Sequence, residues 1–351
     1  MAFDTSSQSL MWFASAWESV RHIWGETVAL TRREVFGGGL ALLIAPEAGA
    51  QADYPTRTIK LIVPYPAGGT TDLLGRLVAD QIKAGLKATV IVENKPGAAT
   101  TLGAEQVARA EPDGYTLLMA TSTTLAINKT LYKKLAYDPV KDFSAISLVA
   151  AVPFALIVNP QIPANTLAEF IAYAKATPGL AYGSAGNGSP QHLGAEMLKS
   201  AARIDIRHVP YRGSIPAMLD VIAGHIPFMI VDLQPALQQI REGKVRVLGV
   251  TTLSRVAAAP DIPTIEEGGL KGFELVAWQG VVAPAGTPRP IVDALATQIA
   301  KLLADPATRD RFAAIALEAL PGSTPDSFSA HIRSEIDRWA VIVKNSGAEM
   351  E

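Results

Sequence analysis

The chain has 351 residues, 49% of them apolar, enough for one large domain or two of ordinary size with real cores. Its 31 Lys and Arg nearly balance 33 Asp and Glu, for a formal net charge of −2, which argues against nucleic acid or an anionic membrane surface as partner. The absence of cysteine excludes disulfides, thiolate nucleophiles, Cys-based zinc sites and a lipidated anchor, and the five histidines lack metal-ligand spacing, so no metal or cofactor is expected.

Residues 1–52 read as an N-terminal extension that ends in an export signal. Arg32-Arg33 precede a mildly apolar, Gly-rich run from Val35 to Ala45, too short for a bilayer span of about 20 residues. Ala48-Gly49-Ala50 or Ala50-Gln51-Ala52 then supplies a small-x-small cleavage pattern. This order is that of a twin-arginine signal peptide, removed before Gln51 or Asp53, and it places the mature protein in the periplasm. Residues 1–30, with Trp12, Trp17 and Trp24, are unusual ahead of a signal; they fit an upstream start codon, with Met11 the alternative.

From Ile59 onward short β-rich runs alternate with helical patterns, which predicts an α/β protein with a mostly parallel sheet. Strand 59–65 runs into helix 72–84, whose Leu73, Leu74, Leu77, Val78 and Ile82 fall on one face. Strand 88–93, the turn Asn94-Lys95-Pro96-Gly97, helix 100–110 and strand 115–120 follow, and Thr121-Ser122-Thr123-Thr124 is expected as a hydroxyl-rich loop. The apolar run Ile146 to Val158 contains Pro153, which a central strand does not tolerate, so a bend or a crossing between domains is expected there. A second α/β series occupies helix 166–176, strand 180–184, helix 190–202, strand 206–211, helix 214–223, strand 226–232, helix 233–242 and strand 245–251. Phe273 to Ala283 reads as the return crossing, and helices 288–304, 306–314 and 325–345 complete the chain. Two crossings imply two lobes with a hinge: 53–152 plus 278–351, and 153–277.

Two loops carry recognisable chemistry. Tyr65-Pro66-Ala67-Gly68-Gly69-Thr70-Thr71-Asp72 joins a strand to a helix; its glycines let a ligand approach the backbone, and the unpaired N–H groups of the helix start favour an anion, most simply a carboxylate. Asp72, at the helix start, is suited to organising that loop. Tyr182 to His192 has the same form, with Ser189 as N-cap and Pro190 at the first helical position. Loops 66–72, 121–124 and 183–189 all follow strand ends, where open α/β sheets bind ligands, and so could line a cleft from both sides. For each there is a plainer role: the hydroxyls at 121–124 could cap a turn, His192 could be a satisfied core residue, Asp232 could cap the next helix and Trp278 could be core.

Enzyme chemistry finds little support in these loops. Neither Ser184 nor Ser189 lies in a G-x-S-x-G elbow, Gln191 stands where a dinucleotide fingerprint needs its third glycine, and no G-x-x-x-x-G-K-[ST] loop or acidic dyad occurs. The alternative reading is a secreted hydrolase or lyase built on Ser184, Ser189 and His192.

Taken in order, Val63 to Asp72, Val92 to Ala98, Pro112 to Leu118, Tyr182 to His192, Val209 to Ser214 and Pro260 to Thr264 resemble the periplasmic solute receptors of tripartite tricarboxylate transporters, the TctC or Bug family, over residues 54–345. The resemblance implies a two-lobed, type II "Venus flytrap" that is not an enzyme and binds a di- or tricarboxylate or aromatic acid in its interlobe cleft. It assigns the carboxylate seat to Gly68, Gly69, Thr70 and Asp72. Thr121, Ser122, Thr123, Ser184, Gly186, Asn187, Ser189 and Asp232 match other cleft positions, and His192 closes the second motif. Tyr65, Ala67 and Thr70 stand where the family commonly has Phe, Pro and Gly, and the Tyr65 hydroxyl beside the seat suggests an aromatic or hydroxylated acid. The partners implied are a small organic acid and a membrane permease or a sensor protein, with the receptor a monomer.

Overall fold

A computed structural model describes residues 54–350; the export signal expected at 1–52 lies outside them. Strand β1 (Ile59–Val63) buries every residue but Lys60, as a parallel strand covered on both faces must. Helix α1 (Thr70–Leu86) presents Leu74, Val78 and Ile82 to it, and ends at Lys87 in the left-handed conformation. Strand β2 (Val90–Asn94), helix α2 (Thr101–Ala108) and strand β3 (Thr116–Thr121) complete the first parallel unit, with β1 between β2 and β3. After β3 the chain does not enter a loop. Thr123–Ile127 form a π-helical turn that continues into α3 (Asn128–Leu131), because the apolar Leu125, Ala126 and Ile127 are all buried under it.

Strand β4 (Phe143–Val158) is 16 residues long and runs through Pro153 without interruption. It pairs with β9 (Val276–Pro284) as far as Pro153↔Val276, and from Phe154 onward with β7 (Phe228–Asp232) and β8 (Arg246–Val250). Proline, which has no N–H to donate, thus stands where one ladder ends and the next begins. The expected crossing is there, but as a continuous strand rather than a break. The return passes between Leu275, whose N–H donates to Thr251 O (2.9 Å), and Val276.

The second α/β series is α4 (Leu167–Ala176), β5 (Leu180–Ser184), α5 (Pro190–Ala202), β6 (Ile206–Pro210), α6 (Ser214–Ala223), β7, α7 (Leu233–Arg241) and β8. Helices α8 (Arg289–Ala304) and α9 (Pro306–Ala314), strand β10 (Glu318–Ala319) and α10 (Pro325–Ser346) return to the first half, where β10 pairs with β4. The sheet order is β2-β1-β3-β9-β4-β7-β5-β6, with β8 and β10 also on β4. Within each half the βαβ units are parallel, but every pairing made by β4 and β9 is antiparallel. The sheet is therefore mixed rather than mostly parallel, since two long strands that pass between the halves in opposite directions must oppose one another. α10 packs its Phe328, Ile332 and Trp339 into the core, where the Trp278 and Trp339 indoles both donate to Glu335 Oε2 (2.8 and 2.9 Å).

Candidate functional site

The loop between β1 and α1 is held in place by one carboxylate. Asp72 accepts from Gly68 N–H, from Arg76 Nε and Nη2, and from Asn94 Nδ2, each at 3.0 Å; Asn94 Nδ2 also donates to Tyr65 O. Burial would raise the Asp72 carboxyl, but the donors from Arg76, Gly68 and Asn94 outweigh it and hold the group below its ordinary value. Gly68 has φ +88°, which its lack of a Cβ permits, and Gly69 is the N-cap of α1 with no side-chain cap. A Cβ on either glycine would meet nothing within 4 Å, so both face open space. The first-turn N–H groups of α1 lack intrahelical acceptors and lie at the positive end of its dipole, in residues that border the cleft.

A cavity of about 170 Å3 opens against this loop, bordered by Tyr65, Ala67, Gly69, Thr70 and, from the other half, Ser214 and Asp232. A smaller recess of about 30 Å3 adjoins it, bordered by Tyr65, Thr121, Ser122, Thr123, Gln191, Asp232 and Gln279. Neither space has a Lys, Arg or His on its wall. Asp232, at the end of β7, accepts from Thr70 Oγ1 across the cleft (2.9 Å) and from Gln191 Nε2 (2.6 Å). Burial pushes its carboxyl up, and the donors from Thr70 and Gln191 only partly offset that. Burial likewise pushes the Tyr65 phenol up to about 12, while its hydroxyl donates to Thr123 Oγ1 (3.3 Å). Thr121 and Thr124 bond one another (3.2 Å), so part of the hydroxyl cluster caps its own turn.

A larger recess, about 370 Å3, is bordered by Ala151, Pro153 and Val276. Val152, Phe154 and Ala277 border the small recess instead. Alternation along β4 and β9 therefore places the larger space on the opposite face of the sheet. It contains no strand-to-helix turn, and so is the weaker candidate despite its size.

Of the second glycine motif only Pro190 and Gln191, at the start of α5, border the cleft; residues 183–189 do not. Ser184 Oγ is taken by Gly186 N–H (3.0 Å) and His208 Nε2 (2.6 Å), and Ser189 Oγ donates to Gly186 O (2.8 Å) while accepting from His192 N–H (3.3 Å). Asn187 is exposed, and a Cβ on Gly188 would strike Leu131, so this loop packs on α3. His192 Nδ1 accepts from Gly188 N–H (3.1 Å), and its ring stacks on His208 at 3.9 Å. Burial pushes the two imidazoles down, to about 4 for His192 and about 3 for His208. Ser184 and Ser189 are buried, His192 Nδ1 is taken by Gly188, and none of the three borders either space, so no nucleophile–base pair stands at the cleft.

Of the residues singled out from the sequence, Tyr65, Ala67, Gly69, Thr70, Thr121, Ser122, Thr123 and Asp232 border the cleft, while Gly68 lies in the same loop with its N–H given to Asp72. Asp72 lies behind the first loop and supports it, and Ser184, Gly186, Asn187, Ser189 and His192 stand apart. Thr71, Gln191, Ser214 and Gln279 were missed. Gly213-Ser214 had a readable signal, since it is a third strand–glycine–helix turn, between β6 and α6, and Gly213 approaches Pro66 of the first loop. Gln279, inside β9, had none. Among the described residues no group of three His, Asp or Glu could hold a metal, and no helix is long and apolar enough to cross a membrane.

Residues 74–348 match the model of a family described as the tripartite tricarboxylate transporter family receptor. The periplasmic binding protein BugD is 37% identical, with a TM-score of 0.80 over 85% of this chain and all of its own. A Rhodopseudomonas palustris protein solved with adipate is 35% identical, with a TM-score of 0.82 over 85% of this chain and 100% of that one. MatC from the same organism, solved with bound malate, is 33% identical, with a TM-score of 0.78 over 83% and 100%.

Proposed function

The chain belongs to the tripartite tricarboxylate transporter receptor family, and from that premise we propose that it captures a small organic carboxylate in the periplasm for delivery to a membrane permease. It is a two-lobed binding protein and not an enzyme. The observation that carries the ligand class is the helix start at Gly69–Thr71: backbone N–H groups at the positive end of α1, on a loop held by Asp72, with no Lys, Arg or His on the cavity wall. The related proteins holding adipate and malate support the same class.

The lobes expected at 53–152 plus 278–351 and 153–277 are proposed to meet near Pro153 and Val276, where β4 passes from its ladder with β9 to those with β7 and β8. The acid binds the first lobe at Tyr65, Ala67, Gly68, Gly69 and Thr70, with Thr121, Ser122 and Thr123 beside it. Rotation about the two crossings brings up Gln191, Ser214 and Asp232 and buries the carboxylate, where charge-assisted hydrogen bonds are stronger than neutral ones. Export rests on the twin-arginine pattern and on the periplasmic setting of BugD. The receptor acts as a monomer, and a sensor protein is the alternative recipient.

A thermal-shift screen of mono-, di- and tricarboxylates tests this. A true ligand at 100 times its Kd stabilises the folded state by about 2.7 kcal/mol and is recovered unchanged. Gly69→Val, whose side chain enters open space, should keep its melting temperature and lose that gain. Wild-type affinity in the variant, or turnover of the compound, would remove the loop or the receptor reading respectively.

A further inference from the structure

The recess of about 370 Å3 on the far face of the sheet lies behind the crossing of the two long strands. Pro153 and Val276, the pair at which the β4–β9 ladder ends, form its floor. One side is the α9–β10 turn, with Ala313, Leu317 and Ala319; the other is the segment after β8, with Val256 and Ala257. The two sides belong to different halves of the chain, and Ala316 ties them together. It is held at φ +57° and buried in one apolar cluster with Ala155 and Val250. A residue other than glycine persists in that conformation only where its surroundings over-determine it. The charged side chains, Arg255, Arg309 and Glu318, are all exposed and form the rim. The edge of Arg255 is taken by Glu267 and by Pro260 O, and among the described residues the Arg309 guanidinium has no hydrogen-bond or ion-pair partner. Glu267 thus offsets Arg255 and Glu318 offsets Arg309, so the rim favours no charged guest. The flat faces of two guanidiniums, one from each half, are suited instead to stacking on an aromatic ring. The volume falls in the range of small-molecule sites, roughly 300–1,000 Å3.

We propose that this recess is a second ligand site, for a compact uncharged aromatic molecule, and that its occupant holds the organic-acid cleft closed. The direction of the effect follows from the two faces. In front, Thr70 Oγ1 reaches Asp232 (2.9 Å) and Gly213 approaches Pro66, so the cleft walls touch while the space behind stands open. Rotation about Pro153 and Val276 that parts the front walls brings the α9–β10 turn toward residues 252–257 and narrows the recess. A guest that fills it opposes that rotation. By linkage, guest and acid then strengthen one another's binding by the same factor. The coupling rests on the two-lobe, organic-acid reading of the cleft; the second site does not.

Calorimetric titration with indole tests the site, and repetition in the presence of adipate or malate tests the coupling. Indole should bind saturably to the wild type and equally to Gly69→Val, in which the acid seat is obstructed. Benzyl alcohol should bind more tightly than cyclohexylmethanol, which has the same size and no π face; parity would overturn the aromatic assignment. Ala313→Trp and Ala257→Trp, at exposed positions on opposite walls, place an indole ring of the protein's own in the recess. Each should abolish indole binding and by itself raise acid affinity about five-fold, and either suffices if the other does not fold. In the wild type, saturating indole should raise acid affinity about five-fold or more, and saturating acid that of indole equally. Absence of saturable indole binding, or binding that survives both Trp substitutions, would overturn the site. An acid affinity that indole leaves unchanged or lowers would overturn the coupling. If neither acid binds the wild type, the receptor reading and the coupling fall together, while indole binding lost in Ala313→Trp still supports the site.

Discussion

Removing the Asp72 carboxylate should loosen the loop that forms the seat, and the structure sets the scale of the loss. Four donors meet it at 3.0 Å. Hydrogen bonds to a charged group contribute about 1.5–3 kcal/mol each in isolation, but these do not add. The Arg76 side chain is 53% exposed, so its share is at most about 1 kcal/mol. Asn94 keeps its bond to Tyr65 O, and the exposed Gly68 N–H exchanges Asp72 for water, at about 0.5–1.5 kcal/mol. Asp72→Ala should therefore cost about 1–3 kcal/mol in urea unfolding and weaken binding of any organic acid; Asp72→Asn, which keeps an acceptor, should cost about half as much. The deficit depends on pH. Because the folded group lies below its ordinary 3.8, its contribution is present above that value and is lost as pH falls through the folded one. Wild type and Asp72→Asn should differ fully at pH 5–7, and the difference should shrink as pH falls below 3.8. A loss in Asp72→Ala below about 0.5 kcal/mol, with ligand affinity unchanged, would show that the loop needs no such anchor.

Three other outcomes follow from packing and titration. The folded His192 imidazole is pushed down to about 4, so stability should fall as pH drops from about 6.5 toward 4, where the unfolded chain takes up a proton that the folded one refuses. His192→Gln should flatten that part of the curve by up to about 1.4 kcal/mol per pH unit, read from urea midpoints in a pH series. Gly280→Ala places a Cβ within 2.8 Å of both Phe328 Cε1 and the Ser147 carbonyl oxygen, and should destabilise by about 1–3 kcal/mol. Trp339→Phe leaves Glu335 with one indole donor instead of two and should cost about 1–3 kcal/mol in chemical denaturation, without changing ligand affinity.

Much of the architecture is written in local signals. Helices 190–202, 214–223 and 306–314 fall where the sequence places them, because Ser189-Pro190, Gly213 with Gly224, and Asp305-Pro306 each specify an end within a few residues. The first seat is equally local, since Gly68, Gly69 and Asp72 act on a single turn. The sequence does not reveal that Thr123–Ile127 coil into a π-helical turn, that Pro153 lies within an unbroken strand, or that the two long strands make the sheet mixed. Each depends on partners far along the chain. The same limit applies to the site. Three second-half strand-to-helix turns, after β5, β6 and β7, offer hydroxyl or carboxyl side chains, and only their placement against the first half sets Asp232 and Ser214 at the cleft and Ser184 and Ser189 away from it. Thr70 meets Asp232 across 162 residues and Gln279 meets Thr71 across 208. Backbone preferences extend over a turn or two, so they place the anion seat, while the walls that face it arise from packing between distant elements.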